Sequence, residues 1–418
     1  MKLDLTDMLY SLSFALDQVE IEILGLDTGH GKRVACLSLL MAKEAGFKEE
    51  ELRDFVGCCI LHDNALTEFI YEELSKNPDA EIPDIEEINL RISDVLDMEI
   101  MNTNYRHSVI GEQNIRFMPF HTDVENIILD HHENADGTGA MGKIAAETGL
   151  KSQILHLADM VDMSTHLSTM TKDEFEKSAA WVRSQSGRLF SETAVELFQK
   201  AVTYDTILFM QNIGELNYLQ KELQTQACNY SDEEIHNIAG LFAKIVDYKS
   251  EFTQTHSLGV ASKAEQMAHY YGFNEEKTIR YYFAGAMHDI GKLIISNDIL
   301  EKPGKLTTDE FAAMKNHASA TYYVLNNIKG ISDIVEWAAN HHEKLDGSGY
   351  PRGLRSEAIS FEDHLMACID IYQALTEKRP YKDGLSHEKT IAIMQDMVRK
   401  GELDGMIVQD LDTIMGNP

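Results

Sequence analysis

The chain is 418 residues long, with 37 basic and 69 acidic side chains and a formal charge of −32 at neutral pH. That length exceeds one ordinary core and calls for at least two domains, each able to bury a substantial apolar interior. The charge keeps the chain soluble and argues against polymeric nucleic acid or an anionic membrane as a partner, so an anionic substrate has to be captured locally, by metals or a small basic cluster.

Five cysteines, Cys36, Cys58, Cys59, Cys228 and Cys368, form no CxxC pair and are odd in number, which predicts a reducing compartment. No leader pattern and no apolar run of membrane-spanning length is found, so a cytoplasmic protein is expected. With seven prolines and long runs of Leu, Ala, Met, Glu and Lys at helical spacing, the chain reads as all-α.

In the first half, His30 in DTGHGKRVA is followed by the pair His62-Asp63 in LHDNA, His107 in RHSVIG, His131-His132 in DHHENADGTG and Asp159 in LADMVD. The segment 206–235 reads as a helical connector ending at a turn. The second half then repeats the order, with His256 in TQTHSLGVA, His288-Asp289 in HDIGK, His317 in NHASA, His341-His342 in NHHEKLDGSGYP and Asp370 in ACIDIYQAL. TIRYYFAGAMHDIGKLII suits a helix, and KLDGSGYPRGL is a loop by its Gly, Pro, Asp and Ser content.

The intervals exclude coincidence. His30 to His62 and His256 to His288 are both 32 residues, and His107 to His131 and His317 to His341 are both 24. The last interval, from His132 to Asp159 and from His342 to Asp370, differs by one residue, and the stretch after the HD pair differs by a 16-residue insertion around EELSKNPDAEIP in the first half. The simplest account is an internal repeat of two domains, 1–205 and 236–418, joined by the connector.

Asp and Lys are almost never buried unless paired, so the apolar stretch around HDIGK needs partners from elsewhere. Five His and two Asp at repeated intervals suit two adjacent divalent ions, with imidazole nitrogens and carboxylate oxygens as ligands and one carboxylate able to bridge. Such a His-rich, thiolate-free set favours iron or manganese and leaves other divalent ions open. His156, His166, His269 and His364 stand outside the repeat and are expected to be ordinary core or surface residues.

HDIGK followed by HHEKLDGSGYPRGL and DIYQALTEKRPYK resembles the HD-GYP family of the HD superfamily of metal-dependent phosphohydrolases, whose members hydrolyse cyclic dinucleotides. The resemblance covers residues 236–418 and implies a helical HD-type domain in each half. It places His256, His288 and Asp370 on one ion and His317, His341 and His342 on the other, with Asp289 bridging. Lys292, four residues after His288, is expected on the same face of a helix, as a charge on the scissile phosphate or a proton source for the leaving oxygen. By the same resemblance Gly347, Gly349, Tyr350 and Pro351 form a pocket wall, and Arg379 and Lys382 contact phosphate or guanine.

Some positions depart from the family's pattern. Phe252 stands where many members carry a Glu that recruits a third metal, with Glu251 one step off, so a two-metal site is expected. Gln373 replaces a common Asp. In the first domain Leu66 takes the place of the lysine and the loop reads DGTGAMGK without Tyr or Pro. That half is expected to keep a metal-binding shape on His30, His62, Asp63, His107, His131, His132 and Asp159 and to serve regulation.

The reading is therefore a phosphodiesterase hydrolysing cyclic di-GMP to pGpG, with a further step to GMP left open, and with 3′,3′-cyclic GMP-AMP hydrolysis or a non-catalytic cyclic dinucleotide receptor as alternatives. A homodimer is left open. A nucleotidase of the wider superfamily would leave the GSGYP loop and the RPYK segment without a purpose.

Overall fold

Side-chain caps account for many of the helix starts. Asn274, Thr307 and Ser360 each accept a hydrogen bond from the backbone N–H three residues on, and Glu310 and Asp363 accept in return from the N–H groups of Thr307 and Ser360. Each such cap contributes about 0.5–2 kcal/mol. They open the helices Glu275–Met287, Thr308–Leu325 and Phe361–Thr376.

The structure, a computed structural model, describes residues 1–24, 28–69, 98–165, 167–224, 226–249, 255–302, 304–378 and 383–416. The fold is all-α, as expected. Among the described residues, strand structure is confined to a short antiparallel pair, Lys2–Leu3 with Cys228–Asn229, and isolated bridges. No helix there is long and apolar enough to cross a membrane.

The chain forms two compact units, one of Asp4–Ala227 and the other of Met1–Leu3 with Cys228–Pro418. Within the first, the helix His30–Glu44 packs against Glu49–Ile60, Leu150–Ser164 and Glu192–Ala201. The helices Tyr204–Ile213 and Glu215–Glu222, from the stretch read as a connector, lie in this unit, and the second of them packs on the His30 helix.

In the second unit the helices His256–Tyr270 and Glu275–Met287 form a hairpin, and Phe361–Thr376 packs on the first of them. The hairpin is close because Gly285 carries no side chain: a Cβ there would meet the Ala261 Cα at 2.9 Å. Thr308–Leu325 crosses the turn after His288 and packs on Ser332–Ala339. The apolar faces of these helices, including Val260, Phe283, Met287, Leu325, Ile334 and Ile369, are buried. They bring five separate segments to one point.

Candidate metal centres

Five of the ligand-type residues of the second unit sit where a helix begins or ends. His256 is the first residue of its helix, His288 and Asp289 follow the end of Glu275–Met287, and His341 and His342 come just after Ser332–Ala339. His317 and Asp370 lie within helices. All seven converge. Nitrogen and oxygen atoms of His256, His288 and Asp370 lie within 4.8 Å of one another, as do those of His317, His341 and His342.

Asp289 lies between the two groups. Its Oδ2 is 3.1 Å from His288 Nε2 and 3.7 Å from His256 Nε2, and its Oδ1 is 3.6 Å from His317 Nε2 and 3.8 Å from His341 Nε2. The two oxygens of one carboxylate thus face different histidine clusters.

Backbone hydrogen bonds decide which ring nitrogen faces inward. His288, His317 and His341 donate from Nδ1 to the carbonyls of Gly285, Met314 and Ala338, at 2.7, 2.6 and 2.6 Å. That fixes the tautomer with the Nε2 lone pair free for a cation. His317 and His341 consequently face each other Nε2 to Nε2 at 3.4 Å, two acceptors that no proton on either ring satisfies. His288 Nε2 and Asp289 Oδ1 are likewise buried without a hydrogen-bond partner. Orphaned acceptors converging in this way fit divalent cations.

Burial, reinforced by the neighbouring rings, holds His341 well below the usual imidazole range, and burial lowers His342 to about 3. Both are neutral at pH 7 and ready to ligate. His256 differs: burial opposes its charge, but Asp370 and Glu377 outweigh that and raise it to about 9. Asp289, although burial opposes ionisation, is kept well below the carboxylate range by His288 and Lys292.

Lys292 reaches the site by a different route from the one its spacing suggested. The α-helix stops at Met287, and Ile290–Ile294 is a 3-10 turn, so four-residue spacing on a continuous helix does not apply. The tighter turn places Lys292 Nζ 2.5 Å from Asp289 Oδ2. Gly291 makes the turn fit, because a Cβ there would lie 2.0 Å from the His317 carbonyl oxygen. The Gly291 N–H and the His288 carbonyl instead meet the Thr321 hydroxyl at 3.1 and 2.8 Å.

The loop after His342 is organised by Glu343, a residue the sequence reading passed over. Its buried carboxylate accepts from the N–H groups of Arg352, Gly353 and Leu354 at 2.7, 3.1 and 2.8 Å. Gly349 passes so near His342, Lys344 and Glu343 that a Cβ would lie 2.5–2.6 Å from their backbone atoms. Gly347 turns the loop at φ 82°, and the Tyr350–Pro351 bond is cis. Tyr350 ends with its ring centroid 4.6 Å from that of His342 and 6.2 Å from that of His317, so the Tyr of the loop lies beside the histidines. Arg352 pairs with Glu336, while Arg355 and Lys378 are exposed.

Two further carboxylates support the site. Glu377 accepts from His256 Nδ1 at 3.0 Å and from the Thr255 hydroxyl at 3.0 Å. Asp247 accepts from the N–H and hydroxyl of Ser257 and so braces the residue after His256. Its only sequence signal is an acid at the buried end of an amphipathic helix, which is weak. Glu251, Phe252, Arg379, Lys382, His166 and the EELSKNPDAEIP stretch fall outside the described residues.

The first unit assembles its counterpart set as well. His30 Nε2 lies 3.2 Å from Asp159 Oδ1, His62 Nε2 3.5 Å from Asp63 Oδ2, and His107 Nε2 3.5 Å from Asp63 Oδ1. His132 and His107 meet Nε2 to Nε2 at 3.0 Å. Burial is opposed by Asp63 and Asp159 at His62, which rises to about 9, and burial drives His131 down to about 3. Leu66, at the lysine position, is buried. His156, outside the repeat, is buried against Phe190, and His364 accepts from the Asp404 N–H.

A family profile described as an HD domain matches residues 240–407. The chain is 31% identical to the 3'3'-cGAMP-specific phosphodiesterase 1 of Vibrio cholerae, over 99% of this chain and 92% of that one. The cyclic di-GMP phosphodiesterase response regulator RpfG of Xanthomonas campestris is 33% identical over 40% of this chain and 44% of its own length. A crystal structure of a cyclic GMP-AMP specific phosphodiesterase from V. cholerae superposes with a TM-score of 0.65, covering 100% of this chain and 99% of that one at 23% identity, a likeness of fold.

Proposed function

The chain belongs to the cyclic dinucleotide phosphodiesterases of the HD superfamily, and from that premise we propose that its second unit hydrolyses a 3′,5′-phosphodiester bond of 3′,3′-cyclic GMP-AMP at a two-metal site. The observation that carries this reading is the Asp289 carboxylate, with one oxygen toward each histidine cluster and Lys292 against it. Cyclic di-GMP, first in the sequence reading, becomes the alternative. The relative that matches nearly the whole chain is named for cyclic GMP-AMP, whereas RpfG matches less than half.

Divalent ions, with iron or manganese favoured, would polarise the phosphoryl oxygens and make water a competent nucleophile at neutral pH. His256, His288 and Asp370 would hold one, His317, His341 and His342 the other, and Asp289 both. Lys292 is assigned electrostatic work: burial disfavours its charge, but Asp289 outweighs burial and raises its pKa, so the ammonium keeps its proton. Of the two roles open to it, a fixed positive charge near the phosphate is therefore better supported than proton donation. As the new oxygen–phosphorus bond forms and the bond to the 3′ oxygen breaks, that charge offsets the negative charge on the phosphoryl group.

The Tyr350 ring, beside His342 and His317, offers an apolar face for a purine. Arg379 and Lys382 keep their proposed part in phosphate or guanine contact. The first unit, with Leu66 at the lysine position and no Tyr-Pro in its loop, is assigned no hydrolytic role; it serves regulation.

The test is turnover of each cyclic dinucleotide by anaerobically purified, metal-loaded full-length protein, with products resolved chromatographically. The expected result is a linear dinucleotide from 3′,3′-cyclic GMP-AMP, abolished by Asp289→Ala. A tenfold higher kcat/KM for cyclic di-GMP would reverse the substrate order, and absence of turnover with both would sink the proposal.

A further inference from the structure

The matched family profile begins at residue 240 and leaves the first unit unassigned, yet that unit contains a second set of buried imidazoles arranged as cation ligands. We infer that the first unit holds its own pair of divalent cations, one between His30, His62 and Asp63 and the other between His107, His131 and His132. This goes beyond the hydrolysis proposed for the second unit and does not depend on it.

Tautomers and burial carry the argument. His62 donates from Nδ1 to the Cys59 carbonyl at 2.8 Å, and His131 from Nδ1 to the Ile128 carbonyl at 2.5 Å. Both Nε2 atoms therefore point inward, that of His131 as a lone-pair acceptor and that of His62 toward Asp63 and Asp159, whose carboxylates hold a proton on it until a cation takes its place. Both side chains are fully buried, and neither Nε2 has a hydrogen-bond partner; Asp159 Oδ1 is in the same condition. A buried acceptor left unsatisfied costs about 1–3 kcal/mol, and clustering several at one point multiplies that cost unless a cation fills the space between them.

The ligand groups match what a cation needs. Nitrogen and oxygen atoms of His30, His62 and Asp63 lie within 4.8 Å of one another, and so do those of His107, His131 and His132. Asp63 turns Oδ2 toward His62 and Oδ1 toward His107, the same division of one carboxylate between two clusters that Asp289 shows.

The first ligand is held by a more rigid device here than in the second unit. His30 Nδ1 is 2.7 Å from Asp162 Oδ2, and Asp162 is gripped by the Arg33 guanidinium through Nε at 2.7 Å and a terminal nitrogen at 2.9 Å. Such a carboxylate behind an imidazole orients the ring and raises its basicity toward a metal. A chain that keeps this buried apparatus without the lysine retains cation binding and loses the phosphate-directed charge.

The experiment uses the full-length chain carrying Asp289→Asn and His341→Asn, stripped with chelator and titrated with Mn²⁺ alone, the free ion being counted by electron paramagnetic resonance. About two ions per chain are expected to bind, as in other two-metal sites, and to be lost when His62→Asn and His131→Asn are added. No bound Mn²⁺ in the first variant with its circular dichroism intact would overturn the inference, as would undiminished binding in the second. If the second variant does not fold, the half-buried His132→Gln replaces it, with binding expected to weaken at least tenfold and unchanged binding counting against the site. If Asp289→Asn with His341→Asn does not fold, wild-type stoichiometry decides: about four ions support the inference and about two overturn it.

Discussion

His256 Nδ1 lies 3.0 Å from Glu377 Oε2, one helical turn beyond the position where the first unit uses Asp162 to hold His30. In the first unit the supporting acid stands three residues after Asp159; in the second that position is Gln373, which accepts from Lys263 Nζ at 2.7 Å and fills the space left by Gly259. The carboxylate has moved along the helix while its task has stayed the same. Glu377→Gln is predicted to weaken metal binding about 10–100-fold. Adding Gln373→Asp should restore part of it, as read by Mn²⁺ titration; equal affinity in wild type and Glu377→Gln would refute the role.

Lys292→Met is expected to leave the metals in place and lower kcat by about 10²-fold, the size of one lost electrostatic contact in the transition state. Metal content and turnover measured on one preparation separate the two effects. Loss of metal together with activity would mean that Lys292 serves only to hold Asp289.

Gly291→Ala probes the 3-10 turn. The added methyl would press on the His317 carbonyl oxygen and shift either the HD pair or the helix Thr308–Leu325, at a cost of about 1–3 kcal/mol. Denaturant melts should show that loss, and turnover should fall with it. A variant as stable as wild type would show that the helix yields freely.

A pH effect is predicted for the metal-free protein. Burial pushes the Asp247 carboxyl up to about 7, against the donors of Ser257, while its unfolded value is about 3.9. Because the folded value is the higher one, protonation favours the folded state; this contribution is complete below about pH 4 and is lost as the pH rises through about 7. Asp247→Asn should remove that slope, which cannot exceed about 1.4 kcal/mol per pH unit for one proton. Parallel urea melts of the chelated proteins at pH 5 and pH 8 would test it, and parallel losses in the two proteins would count against it.

What could be read in the sequence is the order of the ligands and the helices that carry them. His288-Asp289 and His341-His342 are adjacent in the chain, and the intervals from His256 to His288 and from His317 to His341 recur in the first half, so local spacing and repetition were enough to collect them. The loss of Lys at Leu66 was legible for the same reason: it is a substitution at an aligned position. None of this requires knowing how the helices pack.

The supporting groups were decided only by tertiary structure. Whether Gln373 or Glu377 reaches His256 depends on the phase at which Phe361–Thr376 crosses the His256 helix, and Gly259 and Lys263 on the facing helix settle it. Asp247 and Glu343 act on backbone N–H groups whose positions exist only once the chain has folded. Lys292 reaches Asp289 because Gly291 lets Thr308–Leu325 press the HD turn out of α-helical geometry, a consequence of steric contact between segments far apart in sequence. Ligand identity is carried by residue type and spacing, whereas ligand orientation depends on the packing of distant backbone, which spacing does not encode.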